Sequence, residues 1–232
     1  MNKVEFHGNI ESIGNARKTT IVMLSGGVDS VYVLAKLLKE TDDIILAHHI
    51  HLLNKDGRHK VEGERCRKII DCCRKKYRHL EYSESAIDHR GLFGESVDIV
   101  AAAFQAGIVG RSYAAKYERP ANRWIFGLSE EKVYDANSHT HLRKACAASC
   151  YPFPAPELYR MPIISMVDQI RYLPVELANL CWTCRNPIWR ENGEFDECNV
   201  CANCSIMART SNTLSEIPST RPIILTGLEN VF

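Results

Sequence analysis

One stretch near the N-terminus restricts this chain more than any other. Thr19-Thr20-Ile21-Val22-Met23-Leu24 is an uncharged, partly β-branched run that reads as a buried strand, and it stops at Ser25-Gly26-Gly27. From Ser30 to Lys39 the apolar residues Val31, Val33, Leu34, Leu37 and Leu38 recur at helical spacing, and Ile44-Ile45-Leu46-Ala47-His48-His49-Ile50 follows as a second strand. Strand, glycine turn, helix and strand in about thirty residues make a βαβ unit, which demands a parallel sheet and a right-handed crossover.

The rest of the chain extends that pattern. Val61–Arg78 reads as helix, Leu80-Glu81-Tyr82 as a short strand, Val97–Tyr117 as a long Ala-rich helix and Trp124–Leu128 as a strand ending at a glycine. Residues 129–160, rich in His, Ser, Ala and Pro, predict loop with a short helix; Met161-Pro162-Ile163-Ile164 then leads into a helix over Ser165–Asn179. From Leu180 to Thr210 the composition changes, and five of the ten cysteines lie there. The expected organisation is therefore an α/β body over residues 1–179 and a small cysteine-bearing element over 180–232. With 29 Lys+Arg against 28 Asp+Glu, the chain lacks the excess charge of a protein built to neutralise a long duplex, so nucleic acid is not the expected partner. No apolar run approaches the ~20 residues that span a bilayer, and the polar N-terminus has no signal-peptide core. Ten cysteines without an export signal point to a reducing, cytoplasmic setting, where clustered thiols hold metal more often than they form disulfides.

Two motifs carry chemistry. In Ser25-Gly26-Gly27-Val28-Asp29-Ser30 the glycines let the backbone turn sharply and present successive N–H groups, and the helix behind adds unpaired donors and the positive end of its dipole. Ser25 and Ser30 offer hydroxyls to the same anion, while Asp29 suits a cap, metal partner or orienting group. A plain βα turn also draws on Gly, Asp and Ser, but this six-residue string at the end of the first strong strand is more specific than that. No Gly-Lys-Ser/Thr follows, so it is not a Walker A loop. The second motif is Cys181-Trp-Thr-Cys184 … Cys198-Asn-Val-Cys201-Ala-Asn-Cys204, whose Cys-x-x-Cys spacing suits a tetrahedral thiolate zinc site of structural type. Five thiols compete for four positions. His48, His49 and His51 are expected at the carboxyl end of strand two as solvated loop-end residues, and His139 and His141 as loop decoration. Cys72, Cys73, Cys146 and Cys150 read as helix or core thiols.

The loop resembles that of the PP-loop ATP pyrophosphatases, which include asparagine synthetase domains, tRNA thiolases and 7-cyano-7-deazaguanine synthases. That resemblance implies a Rossmann-like (HUP-type) sheet, cleavage of ATP between the α- and β-phosphates, and bridging Mg²⁺. The loop together with Trp182-Thr183-Cys184 and Cys198/Cys201/Cys204 is similar to the 7-cyano-7-deazaguanine synthases. Gly57-Arg58-His59-Lys60-Val61-Glu62 looks like that family's R-H-x-x-E run, and Met161–Met166 like its proline-led strand end. By this match Cys184, Cys198, Cys201 and Cys204 are the Zn²⁺ ligands and Cys181 is spare. Nucleotide contacts are implied for Leu24, Ser25, Gly26, Gly27, Val28, Asp29, Ser30, Arg58 and His59, with Ser25, Asp29 and Ser30 catalytic. The family is usually homodimeric.

The middle of the chain departs from the family. Gly91-Leu92-Phe93-Gly94-Glu95-Ser96 stands where a P-G-R-N segment is expected, and Tyr134–His141 replaces a Y-P-D-C-R run. A planar heterocycle bearing a carboxylate needs a flat wall, edge hydrogen bonds and a cation. Tyr134, Asp135, Arg143 and Tyr151, with Arg185 beside a thiol, are the candidates for that role. The expected reaction joins 7-carboxy-7-deazaguanine with ammonia at the expense of ATP. The alternatives are a different acceptor, either a tRNA base for thiolation or a deazaguanine joined to a protein, and a nucleotide-holding subunit without turnover.

Overall fold

The computed structural model describes residues 17–92, 98–130 and 136–216. Five strands form one parallel sheet in the order β3-β2-β1-β4-β5: β1 Thr19–Met23, β2 Ile44–Leu53, β3 Glu81–Asp88, β4 Arg123–Phe126 and β5 Glu157–Leu158. Every residue of β1 is buried, as a central strand flanked on both sides and covered on both faces must be. On one face lie α1 (Val28–Glu40) and α2 (His59–Lys76), against a core of Val22, Val31, Leu34, Leu37, Ile45 and Ile69. On the other lie α3 (Asp98–Tyr117) and α4 (Ala136–Cys150), packed on Ile21, Met23, Leu46 and Trp124.

Several elements differ from the sequence expectation, each for a local reason. The region 129–160 carries α4, a helix of 15 residues. Its buried face is Leu142, Cys146, Ser149 and Cys150, set against α3 so closely that a Cβ on Gly107 would lie 2.0 Å from Ser149 Oγ. Small residues in such contact leave no stripe of large apolar side chains to read. The strand expected at 80–82 runs for eight residues as β3. It is an edge strand whose serines and glutamate pair with side chains of β2 rather than with an apolar layer. The helix expected over 165–179 is interrupted by Pro174, giving α5 (Met166–Tyr172) and a short α6 (Val175–Ala178).

After α6 the chain forms a small antiparallel ribbon, β6 (Ile188–Trp189) with β7 (Phe195–Asp196), and α7 (Ala202–Glu216). Helix α7 packs along α5, with Leu214 buried in the α1–α2 core. At the amino end of the sheet, Asp43 accepts from Thr20 Oγ1 and is bridged by Arg123 at 2.6 Å, which ties three neighbouring strands together away from the cleft. Among the described residues, no helix is long and apolar enough to cross a membrane.

Candidate active site

Strand order reverses at β1: the chain builds outward through β2 and β3, then returns to place β4 on the other side. Connections leave β1 and β4 toward opposite faces, so a crevice opens at their carboxyl ends, where ligands bind in open α/β sheets. Here it is a cleft of about 570 Å³. Its floor is Met23, Leu24, Phe126 and Gly127; its walls are the Ser25–Ser30 loop, the start of α3, and the segment Trp182–Arg185.

The loop adopts an anion-binding shape. Gly26 has φ +80°, a conformation that glycine alone takes without strain, and Gly27 is extended and caps α1 without a side-chain bond. Helix α1 begins at Val28, two residues earlier than its apolar periodicity suggests, so Asp29 and Ser30 sit in its first turn. Ser30 Oγ accepts from the Ser25 N–H at 3.2 Å and donates to the Gly27 carbonyl at 3.0 Å, and the two serine hydroxyls are 3.1 Å apart. Ser25, Gly27, Asp29, Ser30 and Leu24 line the cleft. Gly26 and Val28 lie behind it, Gly26 against Cys66 and Val28 in the core.

The two glycines are not equivalent. A Cβ on Gly27 would meet nothing closer than 3.5 Å, whereas one on Gly26 would sit 3.3 Å from Cys66 Sγ on a left-handed backbone. Of the glycines that line the cleft, Gly127 is the tighter. A Cβ on Gly127 would lie 2.3 Å from backbone atoms of Asp29 and Ser30, because the end of β4 presses directly on the first turn of α1.

Across the cleft stands a charged network. Arg58, 7% exposed, donates to Glu62 at 3.1 Å and Asp98 at 2.7 Å, and Arg185 reaches the same Asp98 oxygen at 3.2 Å. Burial pushes the Glu62 carboxyl up to about 7, against the pull of Arg58. Of the residues expected from sequence, Arg58 and Arg185 line the cleft, while His59 lies outside its lining. Arg143 is exposed on α4, Tyr151 is 76% exposed, and neither lines the cleft. Tyr134 and Asp135 fall outside the described residues. Glu62, Asp98, Trp182, Thr183 and Asn203 also line it. Of these, Glu62 lies in the Arg58–Glu62 run, Trp182 and Thr183 in the string that ends at Cys184, and Asn203 between two of the cysteines, whereas Asp98 belongs to no motif.

The histidines of β2 are not solvated loop ends. His48 is 3% and His49 1% exposed, inside a strand three residues longer than its sequence pattern suggests. His48 is held between Ser83 Oγ at 2.8 Å and Ser85 Oγ at 2.9 Å, and His49 Nδ1–H donates to the Leu24 carbonyl at 2.9 Å, bracing the root of the loop. Burial lowers both to about 4, so both are neutral at ordinary pH. His51 donates from Nε2 to Glu84 at 2.8 Å. His139 and His141 lie in α4, not in a loop.

Cys184, Cys198, Cys201 and Cys204 bring their Sγ atoms within 4.8 Å of one another. Three of the separations are 3.5, 3.9 and 3.5 Å, close to the ~3.8 Å edge of a tetrahedron with ~2.3 Å metal–sulfur bonds. The donor set and spacing therefore fit one tetrahedral ion. Cys181 stands apart, its Sγ donating to the Leu177 carbonyl at 3.3 Å. Cys66, Cys73, Cys146 and Cys150 are buried core thiols, and Cys72 is half-buried on α2.

Fold and site together define a three-layer α/β protein with a phosphate-type loop at the switch point of a parallel sheet and a four-thiol knuckle beside it. No protein-family model and no curated protein matches the chain. Among solved structures, it is similar to the U34-tRNA thiolase NcsA from Methanococcus maripaludis with its 4Fe-4S cluster, at 13% identity over 83% of this chain and 81% of that one, with a TM-score of 0.34.

Proposed function

We propose that this chain is an ATP-dependent adenylating enzyme of the PP-loop type, with its catalytic body in residues 1–179 and a metal-bearing element in 180–232. The observation that carries the reading is the Ser25–Ser30 loop, with its glycine φ of +80° and uncapped helix start, opening on the switch-point cleft. An acceptor oxygen attacks the α-phosphorus of ATP and pyrophosphate departs. Charge grows on the leaving group in that step, so backbone donors at Gly27 and the first turn of α1, with the Ser25 and Ser30 hydroxyls, stabilise the transition state more than the ground state. Asp29, in the same turn, orients the loop's partners, and Mg²⁺ held on the phosphates supplies further charge neutralisation.

For the acceptor we propose 7-carboxy-7-deazaguanine. Its carboxylate is held by Arg185 until adenylation removes the charge, and Asp135 is assigned to its guanine-like edge. Ammonia displaces AMP to give the amide, and a second adenylation of the amide oxygen, followed by loss of AMP and a proton, gives the nitrile. Zn²⁺ is the proposed ion in the four-thiol knuckle, closed to substrate and structural.

The test is mass spectrometry of products from ATP, ammonium and 7-carboxy-7-deazaguanine, with pyrophosphate release followed separately. Nitrile formation, reduced at least ~10-fold in Arg185→Ala, is the expected result. Pyrophosphate release without nitrile, stimulated instead by another acceptor such as a tRNA, removes the deazaguanine assignment and leaves the adenylation chemistry. No pyrophosphate release with any acceptor removes both.

A further inference from the structure

The knuckle and the phosphate loop touch through a short chain of contacts that neither role requires. The Trp182 N–H donates to the Gly26 carbonyl at 2.9 Å, across 156 positions of sequence (182 minus 26). One residue on, the Thr183 carbonyl accepts from Asn203 Nδ2 at 2.8 Å, and Asn203 lies between the thiols Cys201 and Cys204 in the first turn of α7. Trp182 is itself locked, with its indole N–H on the Cys184 carbonyl at 2.9 Å and its ring edge-on to Phe195 at 5.3 Å. The thiols therefore fix Asn203 and Cys184; Asn203 holds the Thr183 carbonyl, the Cys184 carbonyl holds the Trp182 indole, and the backbone N–H of the residue so held from both sides fastens Gly26.

Holding one carbonyl matters because a peptide unit is planar. In a trans peptide the C=O and the following N–H point in opposite directions within one plane. Fixing the Gly26 carbonyl toward Trp182 therefore aims the Gly27 N–H away from the knuckle, onto Ser25 Oγ at 3.4 Å and the phosphate side of the loop. Two consecutive glycines cannot hold that plane themselves, since their backbone freedom is the largest of any residue pair.

We propose that Asn203 is a positioning residue through which the metal-held knuckle sets the phosphate loop, so that metal occupancy and nucleotide affinity are coupled. The inference rests on the loop binding nucleotide, as proposed above, and adds that the structural ion tunes that binding. Coupling of this kind is reciprocal and is usually a 5–150-fold effect on affinity.

The probe is α,β-methylene-ATP with Mg²⁺, titrated calorimetrically into full-length protein, metal-loaded or chelator-stripped, for wild type and Asn203→Ala. Stripping weakens wild-type binding about tenfold. Asn203→Ala keeps its metal by elemental analysis, melts close to wild type and shows a loss of similar size. Stripping the variant then adds little, because its link is already cut. Losses that multiply instead would mean Asn203 touches the ligand directly, and a metal-loaded variant binding like wild type would mean it does nothing; either overturns the proposal. If the stripped chain unfolds, cobalt-substituted protein replaces that arm. Nucleotide then shifts the cobalt–thiolate absorption of wild type and not that of Asn203→Ala, and a wild-type spectrum blind to nucleotide overturns the link. Wild type that binds no nucleotide in either metal state removes the function reading itself, a result distinct from tight binding that ignores the metal.

Discussion

The Leu24–Ser30 loop and the Trp182–Cys204 knuckle form two walls of one cleft, built from opposite materials. The loop is peptide geometry: a left-handed Gly26, an extended Gly27, and Gly127 set so close that a Cβ on it would lie 2.3 Å from backbone atoms of Asp29 and Ser30. The knuckle is side-chain chemistry, four thiols within 4.8 Å of one another that flank a two-strand ribbon with exposed Ile188 and Trp189. A wall of the first kind tolerates changes in solution conditions and fails when volume is added. A wall of the second kind tolerates added volume at its surface and fails when its thiols are changed or its ion is removed.

The sharpest way to break this comparison is to add a methyl group to the loop wall. Gly127→Ala must push β4 away from the α1 start, and Gly26→Ala must leave its φ of +80°; we expect each to cut pyrophosphate release at least ~100-fold, roughly 2.7 kcal/mol. Gly27→Ala has ordinary contact distances and should lose less than ~10-fold. Equal losses at Gly27 and Gly127 would show that the ligand, not the β4 contact, sets the tolerance.

Next in size is the thiol wall. Cys198→Ser should lose its metal and melt lower by roughly 4–8 °C, about 2 kcal/mol for a chain this long, while Cys181→Ser keeps both. Elemental analysis alongside a thermal scan checks this, and metal loss from Cys181→Ser would reassign the fourth ligand.

Near neutral pH the smallest effects are those of titration, which grow only as the solution is made acidic or alkaline. His48 and His49 are lowered from 6.5 to about 4, so the unfolded chain binds their protons first. They leave stability intact above 6.5 and remove it as pH falls from 6.5 to 4, by up to ~3 kcal/mol each. Glu62 works the other way. With its carboxyl raised from 4.5 to about 7, the folded chain holds the proton longer, and stability declines as pH rises through that window. Glu62→Gln should therefore gain roughly 1–3 kcal/mol at pH 8 and little at pH 4.5, read from denaturant midpoints. A variant that loses stability equally at both pH values would show that Arg58 needs the charge more than burial penalises it.

Which parts were readable from sequence follows the same division between local and assembled structure. Strand β1, helix α1 and the loop are consecutive, so a β-branched run, two glycines and a helical stripe announced them to within two residues. The Cys-x-x-Cys spacings announced the thiols in the same way, though choosing Cys184 over Cys181 needed a family resemblance. Helix α4 was hidden because its buried face holds one leucine, Leu142, and is otherwise Cys and Ser packed against Gly107 and Gly110. The histidines of β2 misled because their polar partners, Ser83, Ser85 and Leu24, arrive from other strands. Asp98 meets Arg58 and Arg185, and Gly127 meets Asp29, only because the sheet reverses order at β1. No spacing in the sequence encodes those meetings.

That reversal also bears on how the chain is made. Strand β1 pairs with β2 about 25 residues on, Thr20 with Ile45, but its other side waits for β4, where Thr20 meets Arg123 (123 minus 20, or 103 positions later). At a synthesis rate of roughly 5–20 residues per second, the future centre of the sheet spends about 5–20 s as an open edge. That edge is Thr-Thr-Ile-Val-Met, uncharged and rich in β-branched residues, the kind of strand that pairs with a neighbouring chain when left exposed. The most deeply buried strand of the finished protein is thus the most vulnerable one on the ribosome. A lysine placed there to guard the nascent chain would be intolerable once β4 arrived.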